Sequence, residues 1–275
     1  MLETDSHSFL ASIIALAVII VISLLGMITN GLSLHIIKTN SQFRNAFGIL
    51  CNAFLLCNIQ TIAIMLIWGD SRELTSSKSW LALAPGCLAN TSYYGSLIVH
   101  FLIAVNRYCA IAYPLRYRFF WSSTKTRVAA AVAYFLGFLP CIPGLFEPCT
   151  LVFNVNSDFQ WKYSDTKCGR ANEFFDTAAS VAIMCAATCI DFVTLLKIRN
   201  HFKSATVHPQ WTDTEVRRRD LRFFKQLADI GGLVLTVTSV LFNVGQVRFK
   251  NKCSLFLALF LVTTINGGMT SVPDG

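Results

Sequence analysis

Seven stretches of the chain are apolar over about the 20 residues that a helix needs to cross a hydrocarbon layer about 30 Å thick. They run from Phe9 to Ile37, Ala46 to Trp68, Leu83 to Tyr113, Val128 to Phe146, Phe174 to Ile198, Phe223 to Phe242 and Cys253 to about Val272. Lipid offers the backbone no hydrogen-bond partner, so each such stretch has to close its own N–H and C=O groups as a helix. The expected fold is an all-α membrane protein, a seven-helix bundle whose seventh helix is short. Composition agrees: 54% of the 275 residues are hydrophobic and 14% charged, against about a quarter charged in soluble domains. A net charge of +8 would by itself suit nucleic acid, but its placement argues for a membrane and against nucleic acid.

The first apolar block is too long for a signal-peptide core, and residues 1–8 carry Glu3 and Asp5 but no Lys or Arg. It reads as a retained first span with residues 1–8 outside. Lys38, Arg44, Arg107, Arg116, Arg118, Lys125, Arg127, Lys197, Arg199, Lys203, Arg217, Arg218, Arg219, Arg222 and Lys225 then all fall on the inner side, out of 23 Lys and Arg in the chain. That is the excess that the positive-inside rule requires, and with seven spans the C-terminus is inside. Residues 9–275 form one bundle, with a long outer loop after Phe146 and a long Arg-rich inner loop after Arg199.

No His-Glu-x-x-His, Gly-x-Ser-x-Gly, phosphate loop or Cys-x-x-Cys is present, so neither a catalytic residue, a metal site nor a cofactor is expected. Cys51, Cys57, Cys141, Cys185 and Cys189 lie inside apolar runs, where Cys packs as a small hydrophobe. Asn90-Thr91-Ser92 matches a glycosylation acceptor but opens an apolar span, where a transferase has no access. A transporter or channel would want paired broken helices near the midplane, and only the fourth span, with Pro140 and Pro143, is visibly broken.

The inner end of the third span reads Asn106-Arg107-Tyr108-Cys109-Ala110-Ile111-Ala112-Tyr113-Pro114-Leu115-Arg116-Tyr117. An Arg at mid-bilayer costs about 2.5–3.5 kcal/mol, less near the interface, so Arg107 either snorkels as an interfacial anchor or finds a partner. The segment resembles the rhodopsin-like receptor pattern Asp-Arg-Tyr, Ala-Ile, Pro-Leu-x-Tyr, with Asn106 in the place of Asp. More of the chain looks like the nematode serpentine chemoreceptors of class X. That resemblance rests on Phe47-Gly48-Ile49-Leu50-Cys51, Trp161, Asp165-Thr166-Lys167-Cys168-Gly169, Asp191-Phe192-Val193-Thr194-Leu195-Leu196-Lys197, Arg217-Arg218-Arg219 and Phe223-Phe224-Lys225-Gln226.

The resemblance implies a chemosensory receptor in the plasma membrane or cilium of a sensory neuron, binding a small molecule and coupling to a heterotrimeric G protein. There are departures from the rhodopsin-like pattern. The sixth span has no Pro, the second no Asp or Glu, and Asn266-Gly267-Gly268 stands where Asn-Pro-x-x-Tyr would be. A shortened, non-signalling receptor is therefore an alternative.

Intramembrane carboxylates are rare and normally paired, and Asn106 lacks the charge that Asp supplies beside the Arg in rhodopsin-like receptors. Asp191, six residues before Lys197 and so about 9 Å inside the inner boundary, is the favoured partner for Arg107, with Asp229 as runner-up. The activation group is thus Asn106, Arg107, Tyr108, Asp191 and Asp229. His100, two turns before Arg107, reads as an interior hydrogen-bonded His. Pro114, Leu115 and the basic helix extension Arg217, Arg218, Arg219, Arg222 and Lys225 are the expected G-protein surface. The basic run also suits anionic lipid, at about 1 kcal/mol per residue. In the outer loop, Cys168 should form a disulfide. The rhodopsin-like partner would be Cys87, but Cys149 is favoured, closing the loop on itself and holding Trp161 over the mouth of the bundle.

Overall fold

In the computed structural model of the protein the described residues are 2–69, 80–146, 149–154 and 160–205. The sixth and seventh expected spans lie outside them, with Asp229 and the basic run Arg217, Arg218, Arg219, Arg222 and Lys225. Six α-helices are described: α1 (Leu2–Thr39), α2 (Ala46–Gly69), α3 (Trp80–Ala112), α4 (Pro114–Phe120), α5 (Ser123–Leu136) and α6 (Lys167–Ala205). The loop before α6 holds one antiparallel hairpin, β1 (Leu151–Asn154) and β2 (Gln160–Tyr163), with Leu151 opposite Tyr163 and Phe153 opposite Trp161. Among the described residues, α2, α3 and α6 each hold a stretch long and apolar enough to cross a membrane: Ala46–Ile64, Leu83–Ala112 and Lys167–Arg199.

The long helices overrun the apolar stretches that mark them. Polar residues at a helix end continue the same backbone hydrogen bonding in the interface, so hydropathy locates the lipid-facing part and not the helix end. Accordingly α6 begins at Lys167, ahead of Phe174, and α1 at Leu2, ahead of Phe9.

The fourth stretch differs in kind. Its α-helix starts early, at Ser123, where the Ser122 side chain accepts from the Lys125 N–H as an N-cap. It ends at Leu136 and gives way to single 3-10 turns at Leu139–Cys141 and Pro143–Leu145. A continuous helix over 128–146 is thus not formed, because Pro140 and Pro143 each remove an N–H and clash with the preceding turn. Gly137, just past the helix, lies against α3. A Cβ there would stand 2.6 Å from both the Gly95 nitrogen and the Thr91 carbonyl oxygen. Small residues let two backbones approach this closely in a membrane bundle.

Burial is inverted relative to a soluble protein. Ile20, Leu24, Leu25, Ile28 and Leu32 of α1, Val128, Val132 and Phe135 of α5, and Phe192 and Leu196 of α6 are exposed. Asn30, Ser33, Ser92, Ser96, Thr126 and Thr194 are buried. Lipid gives no reward for hiding apolar side chains, so helix contacts use small and polar ones. Hydroxyls are satisfied within their own helices, as where Thr61, Thr91, Ser92, Thr188 and Thr194 donate to carbonyls one turn back. Between helices, Gln60 on α2 donates to the Tyr134 hydroxyl on α5 at 2.8 Å.

The centre of the bundle is α3, which packs against α2, α5, α6 and β1. Leu50, Val99, Ile103, Ala130 and Ala133 form its apolar core. Because α6 meets both ends of it, α3 is also where the functional side chains gather.

Candidate functional site

Two polar clusters join α3 to α6, one near each end of the pair. At the end marked by the Asn-Arg-Tyr run, Arg107 Nη2 donates to both carboxylate oxygens of Asp191, at 2.7 and 2.8 Å. The two side chains are only 7% and 14% exposed. Arg107 lies two turns after His100 on one face of α3, and the His100 ring rests 5.8 Å from that of Phe54 on α2. Charge-assisted bonds of this length, withdrawn from water, are strong, and either partner left alone would be a buried charge. The Arg107 Nε is buried without a hydrogen-bond partner among the described residues, so the guanidinium commits one nitrogen to α6.

Asn106 turns the other way. Its Nδ2 donates to the Tyr117 hydroxyl at 3.1 Å, and that hydroxyl lies 3.3 Å from Asn106 Oδ1. A neutral amide can both give and accept, which a carboxylate cannot, so Asn106 fixes α4 rather than Arg107. Pro114 opens α4 at its first turn, where a missing N–H costs nothing. The short helix leaves Leu115 97% exposed beside exposed Phe119 and Phe120. Six residues past Asp191, the Lys197 ammonium stands 5.3 Å from the Tyr108 ring on α3 and 5.5 Å from that of Tyr113 just beyond it, adding cation–π contacts near the same end.

At the hairpin end the partners are Tyr94 on α3 and Asp176 on α6. The Tyr94 hydroxyl lies 2.5 Å from Asp176 Oδ1 and 2.6 Å from its carbonyl oxygen. The Ser180 hydroxyl, one turn on, lies 2.8 Å from the Asp176 carbonyl oxygen, to which it donates, and 3.3 Å from the Tyr94 hydroxyl. Tyr163, the last residue of β2, brings its hydroxyl to the Asp176 carboxylate and to Asn90. Burial and the neighbouring carboxylate push the Tyr163 phenol well up from its ordinary range, so it remains a donor. A cavity of about 10 Å3 lies beside it, lined by Leu83, Cys87, Asn90, Pro140, Cys141, Gly144 and Tyr163.

Cys149 and Cys168 are joined as a disulfide across this hairpin, with their Cα atoms 5.2 Å apart. Cys87 is a free thiol beside the cavity, with its carbonyl accepting from the Cys141 thiol at 3.4 Å. Thr91 and Ser92 of the apparent glycosylation triplet are buried in α3. No group of three or more His, Cys, Asp or Glu among the described residues could hold a metal.

The structure therefore brings together Arg107 with Asp191, and Cys149 with Cys168. It separates Asn106 from that ion pair, while Asp229 and the basic run lie outside the described residues. Sequence reasoning missed Asp176, Tyr94, Tyr163 and the Asn106–Tyr117 pair. For Asp176 a signal existed: it is a carboxylate two residues inside the expected fifth span, subject to the same rule that singled out Asp191.

Both clusters join early residues of α3 to early residues of α6, and late to late, so the two helices run in the same direction. An apolar helical bundle organised in this way around an Asn-Arg-Tyr run is that of a serpentine membrane receptor. The chain belongs to the serpentine type 7TM GPCR chemoreceptor Srx family, whose pattern it matches over residues 20–272. It is similar to serpentine receptor class X-43 of Caenorhabditis elegans, at 28% identity over 185 residues, 65% of this chain and 54% of that protein. The chain thus spans about half the length of the curated relative it matches.

Proposed function

We propose that the protein is a chemosensory receptor with its N-terminus outside the cell, taking a small ligand at the hairpin end and coupling to a heterotrimeric G protein at the Arg107 end. The observation that carries this reading is the buried Arg107–Asp191 pair. It replaces the carboxylate that Asn106 lacks and ties the third span to the fifth. Such a pair is a two-state restraint: closed while α3 and α6 are together, open when ligand binding shifts one helix against the other. Freed from Asp191, the guanidinium is available to a partner at the inner face, next to the exposed Leu115 of α4. The basic run Arg217, Arg218, Arg219, Arg222 and Lys225 would supply charge to the same surface, and Asp229 a second carboxylate for Arg107. Membrane lipid is the remaining partner.

The test is expression with a promiscuous G protein and a calcium readout while odorant mixtures are applied. A response abolished by Arg107→Gln at unchanged surface level is expected. A response that Arg107→Gln leaves intact would contradict the proposed role of the pair.

A further inference from the structure

The hairpin end holds a partly buried carboxylate on which hydroxyl groups from two separate elements converge. Asp176 comes from α6, Tyr94 from α3 and Tyr163 from β2, and Tyr93 stands beside them with its ring 5.5 Å from that of Tyr94. A carboxylate surrounded by tyrosines is the chemistry by which proteins hold organic ammonium groups. The carboxylate gives a charge-assisted bond, and the electron-rich rings favour a neighbouring cation. The described donors include phenols, whose neutral O–H bonds are weaker than those an ammonium makes to the same oxygens.

The space available agrees with a small head group. The cavity bordered by Tyr163 and Asn90 is about 10 Å3, room for a water-sized group and too little for a whole ligand. An entering molecule must therefore part the cluster and take oxygens that Tyr94 or Tyr163 now occupies. Asp176 and Asp191 lie on one helix about 22 Å apart along its axis, so a loss of the Tyr94 contact is felt by the same rigid element that holds Arg107.

We infer that Asp176 is the ligand-selecting residue and that the ligands it selects are small protonated amines, which displace the Tyr94 hydroxyl from its carboxylate. This rests on the receptor reading above and adds the class of ligand and the residue that discriminates it.

The test uses the purified full chain in lipid nanodiscs and its melting temperature in millimolar additions of two matched series. These are phenethylamine, phenethyl alcohol and phenylacetate, and isoamylamine, isoamyl alcohol and isovalerate. Each series keeps one skeleton and changes only the charge. At least one amine should raise the melting temperature while its alcohol and acid do not. The shift should vanish in Asp176→Asn. It should persist in Tyr94→Phe at several-fold lower amine concentration, because the competing hydroxyl is gone while the carboxylate remains.

A shift given equally by the alcohols, or one that survives in Asp176→Asn, overturns the assignment, as does the absence of any amine shift in protein that melts cooperatively. The receptor reading fails separately, if the unaltered chain expressed with the promiscuous G protein gives no calcium response to any odorant mixture. Should Asp176→Asn not fold, Tyr94→Phe alone decides: amine sensitivity unchanged or lost contradicts the proposed displacement.

Discussion

The two ends of the α3–α6 pair are held by different chemistry. At one end a guanidinium meets a carboxylate, both nearly sealed, and Lys197, six residues on, adds a contact to the Tyr108 ring. At the other end a carboxylate is met by hydroxyls. A sealed ion pair is costly to break one partner at a time, because the survivor is stranded. A phenol leaving a partly buried carboxylate can be replaced by another donor. The first arrangement suits holding a state and the second suits exchanging partners, which gives the bundle a firm clasp and a soft one on the same two helices.

If that contrast is right, the largest effect comes from unpairing the firm clasp. Asp191→Asn or Arg107→Gln alone should lower stability by about 3–5 kcal/mol, seen as a large fall in melting temperature in nanodiscs. The double variant should recover much of the loss, since two neutral amides leave no stranded charge. A double variant as unstable as the sum of the two would mean that the residues act separately.

The soft end is expected to depend more on its covalent tie. Cys149→Ser should remove about 3 kcal/mol of loop-closure constraint, the scale for a loop of this order, where the bonded residues are 19 apart. Amide exchange in β1 and β2 should then quicken while the amides around Arg107 keep their protection. Quickening at both ends would show that the hairpin is not a separate unit. A smaller effect, about 1 kcal/mol, is expected when Tyr117→Phe removes the hydroxyl held by Asn106. Since α4 and not the ion pair loses its anchor, the G-protein response should weaken with little change in melting temperature.

The sequence was informative where a rule about lipid applied to single residues and silent where partners came from distant segments. A carboxylate in an apolar span has to be paired, which directed attention to Asp191. Asp176 falls under the same rule but more weakly, because it lies at the margin of its apolar stretch, where hydropathy does not separate a helix interior from an interface. Tyr94 and Tyr163 look like ordinary interfacial aromatics until the hairpin register brings Tyr163 back over α3 and α6. The fourth span shows both sides. Pro140 and Pro143 mark the break, but the close approach that Gly137 makes to Gly95 and Thr91 depends on how α5 crosses α3, which no local pattern encodes.

In the proposed receptor the Arg107–Asp191 pair is the restraint, and Asp176 feeds into it without being the restraint. Ligand-independent signalling at matched surface expression tests this most directly, comparing the unaltered chain with Asp191→Asn and Asp176→Asn. Basal activity should rise several-fold in Asp191→Asn, and the rise should be absent when Arg107→Gln is added. Asp176→Asn, which loosens only the soft end, should raise it less. Basal activity unchanged in Asp191→Asn would contradict the account and leave Arg107 an interfacial anchor held by a salt bridge.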